Sequence, residues 1–335
     1  MKKTFRYLRP LVSISSFALF AYVIQRSGPQ AVLDKLRMLG WSFAFLILLS
    51  GIRQFLRAVA WSYSVQTLGR HPAPLELFGP RLMGEALNEL TPAGPLLGEP
   101  AKVVAVSRFI PADAGASSVI IENLVYTLAA VLFMLSGLVL ALTKLATPDG
   151  FHWIGAELVT LFLASVAVAY WIISRQILLL GRILDYLKRR EVRWTFLERH
   201  ENHMRAVELA IYHFFLNRRG IFLAVLAIEI ATNFTGIVEA YLVLNVTASH
   251  ASLFAAYLVE SANRAVQLAF SFVPFGLGIQ EGAGAATLQA LGYTASEGVS
   301  LAIIRKVRTA FWVAIGLLLA AKYSIGRPTV EESAT

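Results

Sequence analysis

The 335-residue chain contains no cysteine, which excludes a disulfide framework, a thiolate metal site and a cysteine nucleophile. Charge is scarce as well: Asp, Glu, Lys and Arg make up 15% of the residues, against 57% hydrophobic ones. With a mean hydropathy of +0.62, a pair of soluble domains is excluded, and lipid is the solvent such a chain requires. No phosphate-cradling loop, no Gly-x-Ser-x-Gly elbow and no His-Glu-x-x-His pattern occurs. Neither a soluble enzyme nor a bound cofactor is therefore expected. Without an ATP site, any transport would draw on an ion gradient, the membrane potential or the lipid gradient itself.

What is present is a series of apolar windows of spanning length. They predict helices near 9–25, 41–66, 115–143, 151–174, 220–246 and 298–321. The fold class expected is all-α: a polytopic membrane bundle of about six full spans and two re-entrant helical hairpins in an inverted repeat. One membrane domain covers residues 1–335. Its first repeat is 41–174, a basic cytosolic connector is 175–219, and the second repeat is 220–323.

The formal charge of +9 reports orientation rather than nucleic-acid binding, because ten of the thirty Lys and Arg residues fall between Arg175 and Arg219. The opening MKKTFRYLRP and the apolar LVSISSFALFAYVIQ have the basic and apolar regions of a signal peptide without a small-x-small cleavage site. They read as an uncleaved first helix. Charge placement puts the N-terminus inside and opens the first hairpin on the cytosolic side, among Arg70, Arg81, Lys102 and Arg108. The second hairpin lies between segments free of Lys and Arg and enters from outside. The last helix then places Lys322 and Arg327 in the cytosol.

The two hairpins, about 77–110 and 254–292, are each interrupted by Pro and Gly. Pro92-Ala-Gly94-Pro-Leu-Leu-Gly-Glu99 and Pro274-Phe-Gly276-Leu-Gly-Ile-Gln-Glu281 both read Pro-x-Gly-x-x-x-x-Glu. Opened backbone leaves amide and carbonyl groups that lipid cannot satisfy, so such breaks survive only beside protein or a wet cavity. Matching breaks entering from opposite faces point to transporter architecture, with both tips at a shared mid-membrane site. The alternative is that the prolines and glycines only allow tight helix packing.

Charges at membrane depth each cost about 3 kcal/mol on insertion scales and demand a reason. Glu99 and Glu281 stand at the start of the second half-helix, where exposed amides favour a carboxylate. They either cap the tip or bind a ligand. Gly282 and Gly284 would let the backbone approach a partner closely. Arg53 and Arg57 share one helix face, and Arg305, Lys306 and Arg308 sit inside the last span. These cations suit a phosphate headgroup; the alternatives are pairing with Glu85, Glu89, Glu122, Glu229 or Glu239, or snorkelling to the interface. Glu260 and Arg264, spaced i, i+4 with the acid first, predict a structural ion pair. Asn88, Asn123, Tyr126 and Gln280 add hydrogen-bonding capacity near the breaks, where polar contacts hold helices together. His200-x-x-His203 falls in the charged connector and reads as a solvated face, so no metal site is expected.

At NELTPAGPLLGEPAKV, at FVPFGLGIQEGAGAATLQALG and at IIRKVR the chain resembles the lysylphosphatidylglycerol synthase transmembrane-region family, also called flippase-like membrane proteins. Gly276, Gly278, Glu281, Gly282 and Arg305 stand where that family's pattern has them, as do Asn88, Pro92, Gly98 and Glu99. Leu97 replaces a usual second glycine, and Lys102 stands where arginine is common and lacks its bidentate fork. The resemblance implies a flippase that moves an anionic, aminoacylated, hopanoid or glycolipid between leaflets of the bacterial cytoplasmic membrane. Because the chain ends at Thr335 without a synthase domain, translocation without synthesis is expected, with membrane lipids as ligands and a separate lipid synthase supplying the cargo. The other readings are a membrane-embedded lipid-modifying enzyme with Glu99 or Glu281 as general base, and a non-catalytic scaffold.

Overall fold

A computed structural model describes residues 37–67, 69–91, 94–144, 150–175, 195–248, 250–271, 273–276 and 278–325. The expected first helix near 9–25, Pro92, part of the basic connector (176–194) and Arg327 lie outside them. Among the described residues the secondary structure is helical, without strands. The helices are α1 (Trp41–Ser64), α2 (Pro74–Leu90), α3 (Gly94–Val106), α4 (Ala112–Lys144), α5 (Gly150–Ser174), α6 (Thr195–Asn217), α7 (Arg219–Thr247), α8 (Leu253–Ala269), α9 (Ile279–Ala290) and α10 (Ala295–Ile325). A single 3-10 turn, Pro274–Gly276, precedes α9.

The bundle is inside-out by the standards of a soluble protein. On α1, Trp41, Phe45, Leu48, Ile52 and Phe55 are exposed at alternating steps of four and three, a continuous apolar stripe. Arg53 and Arg57 of the same helix lie within the bundle at a polar cavity. Apolar surface outward and charge inward is the arrangement a hydrocarbon surround selects. Among the described residues α1, α4 and α7 are long and apolar enough to cross a membrane. Helix α10 is 31 residues long, but Glu297, Arg305, Lys306 and Arg308 interrupt its apolar character.

Both expected breaks are real interruptions. Helix α2 starts with Pro74 at its first turn, where the missing N–H costs nothing, and Ala73 N–H donates to Glu76 Oε2 at 2.9 Å. It ends at Leu90; Thr91 is extended, and the chain turns helical again at Gly94. The second break is sharper. Gly276 and Gly278 have φ of 55° and 81°, and between α8 and α9 Phe275 also takes the left-handed region, at φ 54° and ψ 10°. That conformation costs a non-glycine residue about 1–3 kcal/mol and persists only where the surroundings hold it. Here the buried Phe275 ring packs with Ala86 and Leu90 of α2 and Val313 and Leu317 of α10.

Helix α1 packs on α7, α2 on α10, and α8 on α4, while α2 with α3 and α8 with α9 form the two hairpins. Helices α2 and α8 are each 17 residues long, and α4 and α10 are 33 and 31. Close approach needs small residues: a Cβ on Gly316 of α10 would collide with the Leu82 carbonyl of α2, and one on Gly98 of α3 with Asn88 and Gly84 of α2. Arg81 and Lys102, two of the cations among which the first hairpin was expected to open, are both buried, at 0% and 1% exposure, and pair with carboxylates inside the bundle.

Candidate functional site

Helices α1, α2, α4, α7, α8, α9 and α10, with Phe275 of the 3-10 turn, enclose a cavity of about 130 Å³. On that scale one water needs about 10–15 Å³, so several fit. The wall carries six cations (Arg53, Arg57, Arg264, Arg305, Lys306, Arg308) and four carboxylates (Glu85, Glu89, Glu239, Glu260). Gln54, Tyr126, Asn263, Gln267, Gln280 and Thr309 add polar side chains to it.

Two ion networks hold eight of these ten charges. In the first, Arg57 Nη2 donates to Glu122 Oε1 at 2.9 Å and Nη1 to Glu85 Oε1 at 3.4 Å, with Nε 3.5 Å from Glu229. Its guanidinium lies over the Tyr126 ring, 3.8 Å from the centroid, in cation–π contact. Arg81 shares the same two carboxylates, donating to Glu122 Oε1 at 2.9 Å and to Glu85 Oε1 at 2.8 Å. Lys102 donates to both Glu99 oxygens at 2.9 and 3.1 Å, and Asn88 and Asn123 donate to them at 3.0 and 2.6 Å. Glu99 thereby ties α2, α3 and α4 together at the first tip.

The second network joins α7, α8, α9 and α10. Arg305 Nη2 donates to Glu260 Oε2 at 2.5 Å, and Arg264 Nε is 3.1 Å from Glu260 Oε1. Arg308 pairs with Glu239, and Lys306 with Glu281. Glu281 also accepts from Gly278 N–H at 2.9 Å, which caps α9. Trp312 of α10 donates to Ser50 of α1 at 2.7 Å across the wall.

Two charged groups of the wall stand apart. Arg53 comes no nearer than 4.0 Å to Glu239, which already pairs with Arg308, and no hydrogen bond from it occurs among the described residues. Glu89 makes neither a hydrogen bond nor an ion pair among the described residues, although it lines the cavity.

Of the residues singled out in the sequence, Arg53, Arg57, Glu260, Arg264 and Arg305 meet at the cavity wall. Asn88, Gly98, Glu99 and Lys102 gather at the α2–α3 crossing, and Gly276, Gly278, Glu281 and Gly282 at the second break; none of these lines the cavity. Pro92 lies outside the described residues. Sequence reasoning gave no site role to Gln54, Asn263, Thr309 or Trp312, and it gave Glu89 only the role of a partner to arginine. The detectable signal was the spacing of Glu85 and Glu89, which puts two carboxylates on one face of α2. His203 pairs with Asp113 at 2.8 Å, and no group able to hold a metal occurs among the described residues.

No curated protein and no solved structure matches the chain. The sequence profile of the lysylphosphatidylglycerol synthase TM region matches residues 8–316. That match spans nearly the whole chain, helices and cavity wall together. The chain is a multi-pass helical membrane protein of the lysylphosphatidylglycerol synthase TM region family.

Proposed function

We propose that the protein is a lipid translocase that passes the headgroup of an amphipathic lipid through the ionic cavity while the acyl chains stay in the bilayer. The observation that carries this reading is the cavity itself: room for several waters, walled by ten charged side chains, inside a bundle whose outer face is apolar. Charge retained at such a position is ordinarily functional, because each group is expensive to bury. The residues 41–174 and 220–323 are read as two repeats of inverted topology with 175–219 as their connector. The equal lengths of α2 and α8 and the crossed packing of α2 on α10 and α8 on α4 support that reading. Rocking of one repeat against the other would expose the cavity to each leaflet in turn. The bacterial cytoplasmic membrane, with both termini in the cytosol, is the location that fits the basic connector.

In this reading Glu99 and Glu281 support hairpin geometry. Each is held by a lysine and by a neighbouring N–H, and neither lines the cavity. Purified protein in vesicles containing a trace of fluorescent phospholipid tests the proposal through quenching of the outer leaflet. Quenching that runs to near completion, against about half in protein-free vesicles, is the expected result; half-quenching for every phospholipid tried would refute translocation.

A further inference from the structure

The first ion network is one cation short. Around Arg57, Arg81 and Lys102 stand four carboxylates, Glu85, Glu99, Glu122 and Glu229. Three of the four accept hydrogen bonds of 2.8 to 3.1 Å from a cation: Glu85 from Arg81, Glu122 from Arg57 and Arg81, and Glu99 from Lys102. Glu229 accepts none from a cation. It is fully buried, Arg57 Nε stands 3.5 Å from its Oε2 without a hydrogen bond, and its Oε1 has no partner among the described residues. Helices α6, α8 and α10 pack on the same helix, yet among the described residues none of their titratable groups comes within hydrogen-bond or ion-pair distance of Glu229.

The atoms beside Glu229 are acceptors that lack a hydrogen. Asn233, one turn farther along α7, donates through Nδ2 to the Glu229 carbonyl at 3.0 Å, and its buried Oδ1 has no partner. Thr232 Oγ1 donates to the same carbonyl at 2.8 Å and lies 3.4 Å from Glu229 Oε2. A hydroxyl has one hydrogen, so with that hydrogen on the carbonyl its oxygen is left to accept from the carboxyl. Buried acceptors are costly to leave unpaired. One proton on Glu229 supplies the missing hydrogen and neutralises the network.

We propose that Glu229 is a proton-binding site and that lipid translocation is coupled to proton movement through it. The coupling rests on the translocase reading, whereas the proton site stands without it. Thr232 and Arg57 both line the cavity and both reach Glu229, one by its hydroxyl and one by its guanidinium. The hydroxyl is the route: the proton enters from cavity water on one side as the carboxylate becomes an acid, and leaves on the other as the carboxylate is restored. The guanidinium is the link. A negative group in the cavity that draws on Arg57 loosens its hold on Glu229 and favours the proton there, and the proton in turn favours the negative group. Proton and cargo then travel together, with the proton gradient as the energy source.

Infrared spectra of the full chain in detergent test the site through the carbonyl stretch of a protonated carboxyl, which shifts in D2O. The native spectrum minus that of Glu229→Gln should show this band at neutral pH. Thr232→Val combined with Asn233→Leu keeps the acid and removes its partners, so the band should shift; should Glu229→Gln not fold, the double variant decides alone. A difference spectrum without the band, as a sodium ion or a water in the proton's place would give, overturns the proposal, and so does a band indifferent to loss of both partners. For the coupling, labelled phosphatidylglycerol or phosphatidylethanolamine is added to the outer leaflet of vesicles that enclose a pH dye. With native protein the lumen should acidify as the label moves in, and Glu229→Gln should lose that acidification. Lipid movement without acidification overturns the coupling. No lipid movement at all overturns translocation and the coupling with it, and leaves the proton site standing on its infrared band.

Discussion

Arg81 is a side chain whose only sustainable place is the one it occupies. It is fully buried, its guanidinium reaches Glu85, Glu122 and Gln54, and Arg57 draws on the same two carboxylates. Removing one partner of such a cluster strands the others, which costs about 3–5 kcal/mol, more than the pair itself contributes. Arg81→Met should therefore lower the melting temperature in detergent sharply, and adding Glu122→Gln should recover part of the loss. If the single and double variants melt alike, the cluster is not coupled. Lys102 illustrates the same principle at the hairpin, because its Nζ donates to both Glu99 oxygens and its stem lies against Gly84.

Among the elements, the two hairpins are built differently although their sequences share a spacing. The first is closed by packing and side-chain bonds: Gly98 lies against Asn88 and Gly84, and Glu99 accepts from three donors on three helices. The second is closed by backbone conformation, with Phe275, Gly276 and Gly278 at positive φ. Gly98→Ala should accordingly destabilise the protein, since the new Cβ collides with Asn88 and a backbone carbonyl. Gly282→Ala meets nothing within 4 Å and should be neutral or gain up to about 1 kcal/mol of helix propensity. Comparing the two melting temperatures checks this, and equal losses would contradict it. Phe275→Ala should cost about 3 kcal/mol, the scale for truncating a buried phenylalanine, and should loosen α2 from α10. The interruptions themselves were legible in the sequence because Pro and Gly mark them directly. The difference in construction was not, because it depends on what each tip packs against.

At the scale of the molecule, the two halves proposed for it touch through α1 on α7, α2 on α10 and α4 on α8. Ser136 of α4 and Tyr257 of α8 bond at 2.6 Å at an exposed point of that contact, and the chain has no native thiol. Cysteines at those two positions, bridged by a short bifunctional maleimide, should halt lipid movement, whereas each single cysteine treated alike should leave it running. Continued movement after quantitative bridging would rule out rocking of the halves at this contact. The helical bundle could be read from hydropathy, and the cations buried within it from their failure to follow the orientation rule. Which carboxylate each cation meets could not, because partners such as Arg57 and Glu122, or Glu239 and Arg308, are 65 and 69 residues apart. Only the folded chain decides between them. The seating of α2 against α10 at Gly316 has a mechanical corollary. The helix that bears Arg305, Lys306 and Arg308 is seated on α2 farther along, at Gly316, so a tilt of α2 would drag that row of cations along like the far end of a lever.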